Sequence, residues 1–265
     1  MAFRSLNRTF AASNSQTHNM KRLTILLVSL CFISTAWAQT PRRADLNGDG
    51  EVSLADLTKL ADILIGRHEY VDLGLPSGTL WATCNVGANF PEEYGYYFAY
   101  GETEPKSDYT WGTYKWCEGT ASTMTKYCLN EAYGMVDSLK VLALEDDAAR
   151  ANWGGEWRIP THAQLNELTE EYVAWDFDAS MNGVPGVLLT SKSNGNTLFL
   201  PYAGYYDGTT LIGKDYFTVC RGNSVTKTNI TSYRWWKRNG SFTFDGTRYY
   251  GTTIRPVLNV NTSGE

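Results

Sequence analysis

Histidine is nearly missing from this chain, with three residues in 265. That scarcity argues against zinc centres built on several imidazoles and against triads that need a poised histidine base. Cysteine is sparse too, five residues with no CxxC spacing, so the common cysteine metal and redox signatures are absent. Charged residues make up 19% of the chain and the net charge is −5. The basic cluster Arg234, Lys237, Arg238 is small and local. Nucleic acid and anionic membranes both call for broad cationic patches, so neither is an expected partner. No apolar run reaches the about 18–20 residues of a membrane-spanning helix.

What is abundant is aromatic: 17 Tyr, 10 Phe and 9 Trp beside 24 Gly. That mixture points to a loop-rich fold of short strands and away from helical bundles and from disorder.

The amino-terminal region reads as an export signal. Met20-Lys21-Arg22 precedes LTILLVSLCFISTAWA (23–38), which ends in the small-x-small exit Ala36-Trp37-Ala38. Cleavage is expected after Ala38, with Met20 as initiator and residues 1–38 outside the fold. Lipidation at Cys31 is disfavoured, because Leu30 stands where processing needs a small residue. Loss of this segment removes four basic and no acidic residues, deepening the charge from −5 to −9. The expectation is export through the Sec route to the periplasm, the cell surface or the medium, with no transmembrane segment in the mature chain. Export also permits disulfides among Cys84, Cys117, Cys128 and Cys220. Cys117 and Cys128 flank a Gly/Ser/Thr loop and are the favoured pair; buried free thiols are the alternative.

DLNGDGEVSLAD (45–56) has the form of a calcium loop. Side-chain oxygens fall at Asp45, Asn47, Asp49, Ser53 and Asp56, Glu51 offers its backbone carbonyl, and Gly50 sits at the sharp turn. A hard cation calls for such an oxygen set, so the expected cofactor is a structural Ca2+. The rival reading is an acidic turn that caps a helix. Leu54, Leu57, Leu60, Ala61 and Leu64 recur at helical spacing, and Gly66 closes the helix. The unit, assigned to 39–68, resembles one dockerin repeat. A dockerin carries two, and no second copy follows, which weakens the implied cohesin-like partner.

From residue 69 the periodicity changes. YVDLGLPSGTLWATCNVGA (70–88) alternates around the turn signal Pro76-Ser77-Gly78. No long helix fits EEYGYYFAYGETEPKSDYTWGTYKWC (92–117). Thr161 is a helix cap, with Gln164 three residues on and Leu165 and Leu168 facing inward. Short strands are expected at 186–191, 197–205, 216–220, 233–236, 241–245 and 252–258. The fold class is α+β, with one or two helices, many short antiparallel strands and long loops.

The segments EYVDLGLPSGTLWATCNVGA, YFAYGETEPKSDYTW, DDAARANWGGEWRIPTHAQLNEL, LFLPYAGYYDG and TIRPVL resemble, in order, motifs of the Fibrobacter succinogenes major paralogous domain of exported Bacteroidetes proteins. The resemblance covers 69–260 and leaves 261–265 as a tail. It implies a C-type-lectin-like fold. YFTVC (216–220) departs from the family's usual strand at that place.

Catalytic signals are weak. His162 opens a helix, where a surface role is expected. Asp146-Asp147 and Asp176/Asp178 are not paired across a cleft by any pattern, and Asp146-Asp147 suits a helix end. Glu104-Pro105-Lys106 puts lysine where a calcium lectin needs an oxygen ligand. The remaining expectation is a non-enzymatic binding or adhesion module for a glycan or surface protein. Its face is expected to draw on Tyr205, Tyr206, Tyr233, Arg234, Trp235, Trp236, Arg248 and Tyr249, since Tyr, Trp and Arg dominate interface anchors. One of Trp235 and Trp236 must face the core. An assembly or surface-fibre subunit is the first rival, an enzyme the second.

Overall fold

A computed structural model describes residues 52–54, 56–58 and 68–259, residue 239 apart. The chain divides into two compact units, Met1–Ile65 and Gly66–Glu265. In the first, residues 54 and 56–58 are helical. Asp56 Oδ2 accepts the Ser53 N–H at 2.6 Å, the reciprocal half of a capping box.

The second unit is mostly β, with two short α-helices, and is compatible with an α+β or a mostly-β class. Strands β1 (Tyr70–Asp72) and β2 (Thr79–Ala82) form the expected hairpin. Proline takes its first corner, the Leu75 carbonyl accepts Gly78 N–H at 2.9 Å, and Gly78 carries φ +65°. The last strand, β13 (Val257–Asn259), adds to the other side of β2. A second sheet orders β3 (Val173–Asp176), β5 (Val184–Ser191) and β4 (Ser180–Met181), with β6 (Thr197–Pro201) also on β5. A third joins β7 (Tyr205–Asp207) to β8 (Thr210–Ile212) and β12 (Gly251–Thr252). The fourth contains β9 (Phe217–Lys227), β10 (Ile230–Lys237) and β11 (Gly240–Thr247). β9 runs seven residues past its expected end at Cys220.

Helix α1 (Ala148–Trp153) begins at Asp147, whose carboxylate accepts from Ala149 and Arg150 N–H. Helix α2 (His162–Glu167) carries the expected capping box between Thr161 and Gln164. Gln164 Nε2 then donates to Thr79 Oγ1 at 2.6 Å, tying α2 to β2. The main core gathers Trp81, Leu165, Val187, Leu200 and Trp236.

Between β2 and β3 the described chain holds α1, α2, two short 3-10 turns and isolated bridges but no paired strand, and side chains supplement the backbone bonds of its loops. Tyrosine hydroxyls of this stretch bond carbonyls within it, Tyr109 to Tyr97 O (2.6 Å) and Tyr114 to Tyr100 O (2.7 Å), and beyond it, Tyr97 to Ala203 O (2.7 Å) and Tyr100 to Asn223 O (3.2 Å). Buried carbonyls need donors wherever they occur.

Two sequence expectations are corrected. Cys117 and Cys128 are free, as is Cys220. Cys117 Sγ donates to Trp111 O at 3.1 Å and Cys128 Sγ to Asn130 O at 3.2 Å, so the backbone around each thiol engages it separately. His162 is half-buried rather than exposed: Nε2 lies 3.3 Å from Ser224 O, and the ring covers Gly222.

Candidate binding cleft

Strand alternation splits the expected binding face. On β7, successive side chains point to opposite sides. Tyr205 turns toward Phe217 (5.9 Å), Trp235 (6.1 Å) and Tyr250 (4.8 Å). Tyr206 turns the other way, stacking on Tyr109 (5.5 Å, 22°) and meeting Tyr97 edge-on (4.9 Å, 87°).

Tyr206 thereby lines an open cleft with Gly95, Tyr96, Tyr97, Pro105, Lys106, Ser107, Tyr109 and Thr209, about 580 Å³ including its mouth. The two walls are joined by a backbone bridge: Tyr109 N–H donates to Gly208 O (2.9 Å) and Gly208 N–H to Tyr109 O (2.8 Å). Tyr96 packs over Gly87, where a Cβ would stand 2.4 Å from the ring, and keeps 51% of its surface exposed. Lys106 is held by Glu102 (2.9 Å) and Thr113 O (2.9 Å). Its ammonium also lies over the Tyr109 ring at 5.5 Å.

Burial raises the phenol pKa of Tyr97, with Tyr206 adding to the shift, and burial likewise raises that of Tyr109. Tyr94, nearby, is raised by burial and by its bond to Asp215. These hydroxyls therefore stay protonated near neutral pH and act as neutral donors and acceptors. The wall offers flat ring faces, the Ser107 and Thr209 hydroxyls and one tethered cation. Such a set orients and stacks a ligand; no pair of carboxylates lines it.

The other expected face residues lie elsewhere, and three are corrected outright. Tyr233, Trp236 and Arg248 are buried to 1%, 0% and 0% exposure. Tyr233 Oη is spent on Thr247 O at 2.7 Å. Trp236 belongs to the main core, which settles the choice between the two tryptophans. Arg248 donates to Thr228 O (2.7 Å), Tyr127 O (3.2 Å), Lys126 O (3.2 Å) and Tyr114 Oη (3.1 Å), with the rings of Tyr100, Tyr114 and Tyr127 around it. Arg234 is half-buried, 5.9 Å from the rings of both Trp175 and Trp236, and desolvation lowers its pKa. Trp235 is half-buried against the cluster of Phe217, Val219 and Tyr233, and Tyr249 packs edge-on to Trp111 at 5.0 Å. Of the eight, only Tyr206 lines this cleft.

Asp146 and Asp147, two of the carboxylates weighed for acid/base work, both make contacts within the fold. Asp146 accepts from Lys126 Nζ and Tyr127 Oη, both at 2.6 Å. Asp147 caps α1 and accepts Ile159 N–H at 2.9 Å.

Of the expected calcium ligands, Asp45, Asn47, Asp49 and Glu51 lie outside the described residues. Ser53 and Asp56 stand at the first turn of the helix, linked as above. A carboxylate held there by the backbone suits both the last ligand of a cation loop and a helix cap.

Sequence reasoning missed Tyr96, Tyr97, Pro105, Lys106, Ser107, Tyr109 and Thr209. For all but Thr209 the signal was the aromatic, glycine-rich passage at 92–117, which read as irregular chain without a role. No family model, curated protein or solved structure gives a significant match to the chain. No described helix is long and apolar enough to cross a membrane.

Proposed function

We propose that the chain is an exported, non-enzymatic binding module of C-type-lectin-like architecture whose ligand is a glycan seated in the tyrosine cleft. The observation that carries this reading is the convergence of Tyr96, Tyr97 and Tyr206 with the hydroxyl-bearing Ser107 and Thr209 around one open cleft. Aromatic faces pack on the C–H faces of sugar rings, and hydroxyls exchange hydrogen bonds with theirs. The motif resemblance to the Fibrobacter succinogenes major paralogous domain supports the same assignment. A Ca2+ ion held by Asp45, Asn47, Asp49, Glu51, Ser53 and Asp56 serves as a structural clip at the amino-terminal end.

A glycan array followed by calorimetry tests the cleft. Tyr206→Ala should weaken the best ligand at least about tenfold, or about 1.4 kcal/mol, with an unchanged far-ultraviolet spectrum. Equal affinity in the variant, or no glycan bound at all, sinks the reading. Calcium titration tests the clip: one ion should bind, and Asp45→Ala/Asp49→Ala should abolish it.

A further inference from the structure

β11 is the outermost strand of its sheet; among the described strands only β10 pairs with it. Natural edge strands are blunted by proline, inward charge, bulges or brevity. This one spans eight residues, GSFTFDGT, with an unbroken register to β10 and no proline. Phe242 and Phe244 remain 38% and 40% exposed on one face, flanking Trp235 at 5.4 and 5.3 Å.

The register decides which backbone groups look outward. Lys237 pairs with Gly240, with two residues between them. A closing pair of that kind exchanges both hydrogen bonds, and the pattern alternates from there. The even-numbered residues of β11 thus bond to β10, and Ser241, Thr243 and residue 245 turn their N–H and C=O away from it. Thr247, of the same parity, fits: its carbonyl accepts from Tyr250 N–H and Tyr233 Oη.

We propose that β11 pairs antiparallel with β11 of a second copy, about a two-fold axis through Thr243, to make a continuous six-stranded sheet. The edge is self-complementary in that register. Thr243 meets its own mate as a hydrogen-bonded pair, and Ser241 and Asp245 meet as the next such pair on either side. Phe242 meets Phe244 of the mate in the closer, non-hydrogen-bonded position, on the face that carries Trp235. Four phenylalanines then form one apolar strip across the seam, and cross-strand aromatic pairs are among the favourable ones. A register shifted by one residue breaks both the hydrogen-bond parity and the aromatic match. The interface is isologous and closes at two copies. It rests on the sheet edge and stands apart from the tyrosine cleft.

Sedimentation equilibrium of the purified protein should show mass doubling as concentration rises. Thr243→Pro, which removes an outward N–H, should return it to monomer. Thr243→Cys should cross-link on mild oxidation well above the parent chain, because paired Cα atoms at about 5.5 Å suit a disulfide. Ser241→Cys should not. A protein that stays monomeric at every concentration overturns the proposal, as does cross-linking at 241 equal to that at 243. The cysteine pair decides the matter even if the proline variant fails to fold.

Discussion

Two stretches of the second unit solve the same problem differently. From Val173 to Thr247 the chain contains nine of the thirteen strands, and ladder partners meet its backbone polar groups. From residue 83 to residue 172 there is no such strand; turns, two short helices and isolated bridges carry the backbone, and side chains such as Tyr114 and Arg248 meet carbonyls between them. A ladder spreads its support over many bonds; a loop held by one guanidinium concentrates it. The loop-rich stretch is therefore the one in which point substitutions should do most harm. It also supplies most of the cleft wall, consistent with the general rule that binding residues ride on loops fixed by a scaffold.

The sharpest way to break this contrast is Arg248→Met. It removes four polar contacts to the 114–127 and 228 segments and leaves buried carbonyls without donors. At about 1–3 kcal/mol for each buried acceptor left unsatisfied, the expected loss is about 3–5 kcal/mol, a fall in melting temperature on the order of 10 °C. Arg234→Met, in the laddered stretch and half-buried, should cost under about 1 kcal/mol. Equal losses by thermal denaturation would erase the distinction.

Asp147→Ala should cost about 1–3 kcal/mol, since α1 loses its cap and Ile159 N–H its acceptor. Its pH dependence is specific. Burial raises the folded pKa of Asp147 above the ordinary value, so the protonated form is the one favoured on folding. Its contribution is complete below the unfolded pKa, about 4, and declines as pH rises through the raised value. Denaturant melts should therefore show the variant's deficit largest near pH 4 and smaller at pH 7. A deficit that grows with pH would mean that the three N–H donors outweigh burial.

The smallest expected effect is that of a reductant. With Cys117, Cys128 and Cys220 free, dithiothreitol should leave the melting temperature unchanged. Burial pushes the Cys220 thiol up to about 12, so it should resist alkylation until the chain unfolds. A clear fall in melting temperature on reduction would restore a disulfide to the loop region.

Local chemistry was legible in the sequence where it acts over a few residues. Pro76-Ser77-Gly78 announced the β1–β2 turn, and Thr161 with Gln164 announced α2, because each motif satisfies its own neighbours. Alternation required one of Trp235 and Trp236 to face inward, but only packing of the sheet on the main core selects Trp236. Arg248 was misread because its partners lie 20 to 134 positions away and leave no periodic trace. The cleft was hidden for the same reason: its two walls meet through Tyr109 and Gly208, a contact that no spacing rule encodes.

The two ends of the second unit share one neighbour. β1 joins β2 with Tyr70 opposite Ala82, and β13 joins it from the other side with Asn259 opposite Thr79. Each end of the unit thus enters at an opposite tip of the same central strand. Tension drawn between those ends runs along the strands, across ladders whose bonds lie perpendicular to them. Both ladders are then loaded in shear, and their bonds must fail together rather than unzip in turn. In single-molecule pulling, attachment at residues 69 and 260 should give one abrupt rupture, and attachment at 69 and 84 a gradual peel at lower force. Load applied through the two ends of the unit thus meets these ladders in their most resistant direction.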